Sequence, residues 1–496
     1  MADVILAIDQ GTTGTTALLV DRKLNVIAKT NQEFKQYYPK PGWVEHDLDD
    51  IWKSTISVIK TVLNKGRIKG HQIAAIGITN QRETTCLWNP KTGQPLFRAI
   101  VWQCRRTQDI CQQLKKAKKE SIFRKKTGLL LDPYFSGTKI KWFFDQHHDL
   151  YQKAKEGAVF FGTIDSFLVS KLTRQKAHVT DVSNASRTLL MNLKTLDWDS
   201  ELLDLLSIPK EILPSIRSCS EIYGKTKNVE GLPDDIPICG MAGDQQAALF
   251  GQGCFDAGEA KCTYGTGSFL LLNTGSKIIY SRHRLLSTVA WKLKDAVTYA
   301  LEGSAFIAGA AVQWLRDGLH FIPSAADIES LAQSVKNSEG VVFVPALTGL
   351  GAPYWNSHAR GTITGITRGT TRAHIARATL EGIAFQNYDL LEAMQKDSGK
   401  KLSLLKVDGG ACQNNLLMQI QSDLLQTTVI RPKVIETTAL GAACLAGLAI
   451  GFWKNLSEIK KAWQLEKKFE PRMNSKSRQH HIDQWHRAIR QCLAGC

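Results

Sequence analysis

The sequence predicts an α/β protein built as two domains, and three observations carry that prediction. The first is length: 496 residues exceed what one hydrophobic core can serve, so two units of roughly 250 residues are expected. The second is the alternation of short apolar runs with helical segments, the pattern of strands layered against helices. The third is a Gly/Thr-turned hairpin that occurs once in each half of the chain.

The elements follow in order. Val4 to Ile8 reads as a strand, and Asp9-Gln10-Gly11-Thr12-Thr13-Gly14-Thr15-Thr16 turns it back into a second strand at Ala17 to Val20. A helix is expected near Ile51 to Asn64 and a strand at Ile73 to Ile78. The second hairpin comprises Lys261 to Tyr264, the turn Gly265-Thr266-Gly267-Ser268, and Phe269 to Leu272. Beyond it, Val341 to Pro345 and Leu404 to Val407 read as strands, with helices at Ala373 to Met394 and Gly441 to Ala449. The repeated hairpin places the division between Gly251 and Gly258, giving domains 1–251 and 252–496.

Composition removes several classes. With 43% apolar and 22% charged residues, the chain has the profile of a globular protein, not a disordered one. The start lacks a basic n-region, and its apolar run meets Asp9 too soon for a secretory signal. The longest uncharged stretch, Thr437 to Trp453, is rich in Ala, Gly and Leu, and fits a tightly packed helix better than a membrane span. Eleven scattered cysteines without a C-x-x-C pair suggest reduced thiols in the cytoplasm and no zinc site. The cluster His480, His481 and His486 reads as the polar surface of a helix. The net charge of +17 raises a nucleic-acid partner, but no recognised binding module accompanies it. The one dense basic run, Lys115 to Lys126, reads as the solvated side of a helix.

Chemistry concentrates in three glycine-rich segments. Both hairpin turns let backbone N–H groups and hydroxyls approach phosphate oxygens, because no Cβ blocks them. Asp9 precedes the first turn, where its carboxylate could hold Mg²⁺ through water or simply cap the turn. The third segment, Val407 to Asn415, closes an apolar strand before a helix, and could accept a nucleotide or be a tight turn alone. No G-x-x-x-x-G-K-[ST] loop occurs, and Gly265-Thr266-Gly267 lacks the third glycine of a protein-kinase loop.

Taken in this order, the two hairpins and the third loop resemble the superfamily of sugar kinases, actin and heat-shock ATPases. Within it the chain is similar to the FGGY carbohydrate kinases. Tyr134-Phe135-Ser136-Gly137-Thr138-Lys139-Ile140-Lys141-Trp142 matches that family's first signature, and Gly361 to Glu381 matches the second. The resemblance spans Asp9 to the helix beginning near Leu440. It implies two actin-like (ribonuclease H-like) domains with a cleft between them, ATP and Mg²⁺ as cofactors, and a homodimer or homotetramer.

Three segments are similar to the family's glycerol-phosphorylating branch: Asn80 to Thr85, Asp132 to Ser136, and Gly243 to Leu249. The resemblance implies glycerol as substrate, with Arg82, Glu83, Tyr134 and Gln245 on its hydroxyls and Trp102 and Phe269 on its carbons. Arg82 donates, Glu83 accepts and Tyr134 does either, which suits hydroxyls that are both donors and acceptors. Read alone, a neighbour pair such as Arg82-Glu83 is usually a surface ion pair, and a Trp or Phe is usually core. Asp244 is implied as the catalytic base, a role compatible with capping the helix that follows it. For the nucleotide the resemblance implies Thr12, Thr13, Gly14 and Thr16 on the first hairpin and Thr266 on the second. It also implies Gly309, Gln313, Gly410, Ala411 and Asn414, with Asp9 toward the metal.

Two departures stand out. That branch typically places Ser, and two residues on Arg, where this sequence has Gly14 and Thr16. A charged hydrogen bond of this kind is worth about 1.5–3 kcal/mol, so weaker nucleotide binding or slower transfer is expected. Some bacterial relatives are controlled by fructose 1,6-bisphosphate or by phosphorylation on His in the loop before Gly243-Asp244-Gln245. Here Glu221 to Pro237 carries neither Arg nor His, so neither control is expected there. Rival readings are a pentulose or other polyol kinase of the family, and a non-catalytic ATP-binding scaffold.

Overall fold

The structure, a computed structural model, describes residues 4–495. Each of the two large sheets grows outward from one hairpin. The first has the order Ser220–Lys225, Pro237–Gly243, Ile73–Asn80, Val4–Gln10, Gly14–Val20, Val26–Glu33. Its central strand Val4–Gln10 is antiparallel to Gly14–Val20 and parallel to Ile73–Asn80, which is itself parallel to Pro237–Gly243. The second sheet runs Leu286–Leu293, Ala296–Ala305, Ser268–Gly275, Ala260–Tyr264, Leu404–Asp408, Thr428–Pro432, Leu465–Phe469. Ala260–Tyr264 repeats the central role, antiparallel to Ser268–Gly275 and parallel to Leu404–Asp408. What the sequence offered as a repeated hairpin is therefore a repeated sheet. In both, antiparallel strands pass into two parallel ones and close on an antiparallel edge.

Hydrophobic patterning decides how the layers stack. Parallel central strands are covered on both faces, so Val4 to Ile8 is buried throughout. On one face, helix Leu48–Gly66 turns Ile51, Val58, Ile59 and Val62 toward Ala17, Leu19 and Ala28. It is started by Asp47, whose carboxylate accepts from the Asp49 N–H, and ends where Arg67 turns left-handed. On the other face, Ile5, Ala7, Leu18 and Ala75 join Leu271, Val289 and Ala443 in one core between the sheets.

The uncharged stretch forms helix Thr437–Ala449, lodged between the first sheet and helix Asp244–Gly251. Small residues set that distance. A Cβ on Gly77 would lie 2.2 Å from the Ala442 carbonyl oxygen, and one on Gly441 would lie 1.8 Å from that of Ala247. Among the described residues no helix is long and apolar enough to cross a membrane.

Two expectations need correction. Lys115 to Lys126 is not one helix but the end of Gln108–Lys116 and most of Glu120–Thr127, broken where Lys118 adopts a φ of +57°. The break turns Phe123 and Thr127 inward while most of the basic side chains stay in water. The histidines also part company. His480 and His481 lie toward solvent on helix Ser475–Ala494, but His486 Nε2 lies 3.2 Å from Asp389 Oδ1, docking that helix on Arg372–Ser398.

Candidate active site

The central strands of both sheets end on either side of Trp102, which donates to Thr12 in the first turn and meets Phe269 just after the second, and the space between these ends is the gap described below. Asp9 is the penultimate residue of its strand, paired with Thr16 on one side and Thr79 on the other. Ile5 and Ala7 belong to the core between the sheets, so strand alternation puts Asp9 on the same face, where that core opens. Burial pushes the Asp9 carboxyl up to about 7, with the Asp244 carboxylate acting in the same sense and the Lys29 ammonium opposing.

Asp244 begins helix Asp244–Gly251 directly after the parallel strand Pro237–Gly243. The capping position is taken by Gly243, so the expected N-cap role of Asp244 is not observed. Its Oδ1 instead accepts from the Gln245 N–H at 2.7 Å, and pairs with Arg82 Nε at 2.9 Å. A carboxylate in the first turn of a helix sits in the favourable end of the helix dipole. Its side chain keeps 29% exposure, enough to meet a small molecule.

Arg82 is not on the surface. It follows the end of strand Ile73–Asn80 in a loop tied down by Gln81, whose N–H donates to the Gln10 carbonyl and whose amide donates to the Gly11 carbonyl. Arg82 Nη1 reaches Glu302 and Gln246, and Nη2 reaches Glu302 and lies 3.5 Å from the Tyr134 hydroxyl. Glu83 is buried with a φ of +61°, a left-handed conformation that costs a bulky residue about 1–2 kcal/mol. That turn aims its Oε1 at Arg187 Nε, 2.7 Å away, and its carbonyl at Ser136 Oγ and Lys139 Nζ. Burial raises the Glu83 carboxyl, against Arg187 and Arg82. The Arg82-Glu83 neighbours are thus members of a buried network of two guanidinium groups and two carboxylates, Arg82, Arg187, Glu83 and Glu302.

An aromatic wall stands beside this network. Trp102 meets Tyr134 edge-on at 5.5 Å and Phe269 at 6.5 Å, and its Nε1–H donates to Thr12 Oγ1 at 2.9 Å. Phe269 comes from the second hairpin and Trp102 from the first half, so the wall crosses between them. Gln245 is differently engaged: its amide oxygen accepts from the buried Lys261. Any contact of Gln245 with a hydroxyl therefore falls to the rest of its amide.

The remaining expected residues collect around the turns. Thr13 is exposed at the first turn, and Gly14 packs so closely that a Cβ would lie 2.9 Å from the Gln32 carbonyl oxygen. Thr16 Oγ1 accepts from Asn31 Nδ2 at 2.9 Å. Thr266 is exposed, and its carbonyl accepts from the N–H groups of Ala308 and Ala310, which holds helix Gly309–Asp317 against the second turn. Gln313 lies one turn along that helix, toward solvent. Gly409 follows strand Leu404–Asp408 with a φ of +81° and packs on Tyr264, while Gly410 faces open space. Ala411 completes the turn, and Asn414 caps helix Asn415–Leu425 through the Leu417 N–H at 2.8 Å.

These residues fit a phosphate-bearing nucleotide and a hard cation. Gly410 and the exposed Thr13 and Thr266 leave backbone and hydroxyl donors open at three loops. Asp9 has a carboxyl whose charge is poorly compensated, and a cation would relieve it. Among the described residues no three His, Cys, Asp or Glu side chains converge as a metal cage. A metal here would take one or two protein carboxylates and complete its shell with water and phosphate, the habit of Mg²⁺.

Sequence reading missed Arg187, Glu302, Lys139 and Lys261. Each is a charged residue within an otherwise buried segment, and that placement was the available signal.

The family model for the FGGY family of carbohydrate kinases, N-terminal domain, matches residues 4–251, and that for the C-terminal domain matches 260–450. The chain is 56% identical over 490 residues to the glycerol kinase of Bdellovibrio bacteriovorus, covering 99% of each. To the glycerol kinase of Myxococcus xanthus it is 57% identical over 490 residues, covering 98% of this chain and 99% of that one. Among solved structures, Plasmodium falciparum glycerol kinase with ADP superimposes with a TM-score of 0.92 at 39% identity, over 99% of this chain and 98% of that one. A gluconate kinase from Lactobacillus acidophilus gives 0.89 at 26%, with the same coverage.

Proposed function

The chain belongs to the FGGY family of carbohydrate kinases, and from that premise we propose that it transfers the γ-phosphoryl group of ATP to glycerol, yielding sn-glycerol 3-phosphate. The observation that carries this reading is the Arg82–Asp244 ion pair, set beside an aromatic wall where both hairpins end. The names of relatives identical at 53–57% over nearly the whole chain support the choice of substrate.

In this reading Asp244 orients the terminal hydroxyl and accepts its proton late, as a loose phosphoryl-transfer transition state allows. Arg82 donates to a hydroxyl, Glu83 accepts with the oxygen that Arg187 leaves, and Tyr134 and Gln245 complete the contacts. Trp102 and Phe269 cover the carbon side and exclude water. Thr12, Thr13, Gly14, Thr16 and Thr266 meet phosphate oxygens, and Gly309, Gln313, Gly410, Ala411 and Asn414 the adenosine. Mg²⁺, held by Asp9 and water, would neutralise charge on the phosphates. Residues 1–251 supply the polyol site and residues 252–496 the adenosine site. A cytoplasmic homodimer or homotetramer, taking part in glycerol catabolism, completes the proposal.

A coupled assay of ADP release tests it, with glycerol, dihydroxyacetone, xylulose and ribulose offered in turn. Glycerol should give the highest kcat/KM. Asp244→Ala should lower kcat by about 10²–10⁴ with ADP binding retained. Preference for a pentulose, or an Asp244→Ala chain as active as wild type, would overturn the reading.

A further inference from the structure

A site for the tail of ATP must accommodate several negative charges, yet this one already carries Asp9 and Asp244. Its nearest strands offer little relief. Across Val4–Gln10, Gly14–Val20 and Val26–Glu33, Lys29 is the single Lys or Arg. Register places it well. Thr16 pairs with Asp9 on one side and Asn31 on the other, and Leu18 pairs with Lys29. By strand alternation Asp9, Thr16, Asn31 and Lys29 share the face turned toward the second sheet, whereas Ala28 packs on the opposite face. The Lys29 charge is close enough to act on the Asp9 carboxyl.

Lys29 also has a partner across the gap. Its Nζ pairs with Glu436, the residue before helix Thr437–Ala449. Thr437 Oγ1 donates to Asp408 Oδ2, on the strand that leads into the Gly409-Gly410 turn, so Glu436 sits on the third-loop side. The Lys29 side chain is 45% exposed and that of Glu436 29%, and an exposed pair of this kind is held by about 0.2–1 kcal/mol. It can therefore be exchanged for a stronger anion.

We propose that Lys29 is the cation that meets the nucleotide's phosphates, and that Glu436 holds it across the gap until the nucleotide arrives. The proposal rests on the reading that this gap binds ATP. On binding, the ammonium leaves one carboxylate for a phosphate oxygen, and the cross-gap tie is released as the nucleotide replaces it.

Equilibrium binding to the full chain without glycerol tests this, with ATP, ADP and adenosine as probes and Lys29→Gln, Lys29→Arg and Glu436→Gln as variants. Lys29→Gln should weaken ATP about ten- to a hundredfold and leave adenosine within about twofold. Lys29→Arg should keep ATP affinity within about threefold of wild type. Glu436→Gln should tighten ATP about two- to fivefold by removing the competitor. Unchanged ATP affinity in Lys29→Gln, or an equal loss for adenosine, overturns the cation role. Unchanged or weaker ATP affinity in Glu436→Gln overturns the holding role. A wild-type chain that binds no ATP sinks the underlying reading itself, and is distinguished from both by that result.

Discussion

Glu302 belongs to the second sheet, yet its carboxylate ends against Arg82 and Arg187 of the first half. The two guanidinium groups hold its carboxyl below the usual range against the pull of burial, which favours the neutral form. Removing that charge leaves two buried guanidinium groups with one buried carboxylate, Glu83, and the part-exposed Asp244, and breaking a buried pair costs about 3–5 kcal/mol. Glu302→Gln should therefore lower the thermal midpoint and raise the KM for glycerol tenfold or more, with ADP affinity unchanged within about twofold. Steady-state kinetics beside ADP titration would check it, and an equal loss for both ligands would count against a positioning role. Asp165 gives a pH test. Burial, reinforced by Asp181, pushes its carboxyl up to about 7 while Thr180 Oγ1 donates to it. Because the folded value lies above the unfolded one, this group's contribution is complete below about pH 4 and fades as pH rises through about 7. Asp165→Asn should therefore gain on wild type in thermal midpoint as pH rises from about 4 to about 7 and keep that gain above it; a difference constant from pH 4 to 7 would refute the assignment. At this scale the sequence made Arg82, Glu83, Tyr134 and Asp244 legible because they lie in contiguous motifs. Arg187 and Glu302 were hidden because a lone charge in an apolar run does not name its partner, and their pairing spans 115 positions.

Among the elements, helix Thr437–Ala449 tests the packing argument best. Its small residues were readable as close packing, but spacing states how near a neighbour lies, not which one it is. The neighbours are Gly77 on the first sheet and Ala247 on helix Asp244–Gly251. The helix also starts four residues before the expected Gly441, since Thr437 is fixed by its hydroxyl bond to Asp408 and not by a recognisable capping signal. Gly441→Ala would drive a methyl group into the Ala247 carbonyl, where neither backbone can yield cheaply. A cost of about 1–3 kcal/mol is expected, or several degrees in the thermal midpoint. Because Ala247 lies on the same helix as Asp244, kcat should fall as well. Calorimetry with kinetics would measure both, and an unchanged midpoint would mean that the two helices are less tightly apposed than described.

For the whole molecule, the division suggested by the repeated hairpins and the division made by packing are different things. Residues 4–243 complete the first sheet, but the face it turns toward the second is covered by helix Thr437–Ala449, supplied from near the far end of the chain. A fragment of residues 1–251 would keep its strands and its outer core with helix Leu48–Gly66. It would lose the cover over Ile5, Ala7, Leu18 and Ala75, exposing an apolar surface larger than a monomer ordinarily tolerates. Such a fragment should bind an apolar dye and melt without a cooperative transition. Appending residues 437–449 through a flexible linker should restore part of the cooperativity, because the Gly77 groove receives a helix and not a particular chain connection. If the unsupplemented fragment instead unfolded as sharply as the full chain, the shared core would be a contact surface only. The halves would then be free to move as independent bodies about the gap that holds Asp9 and Asp244.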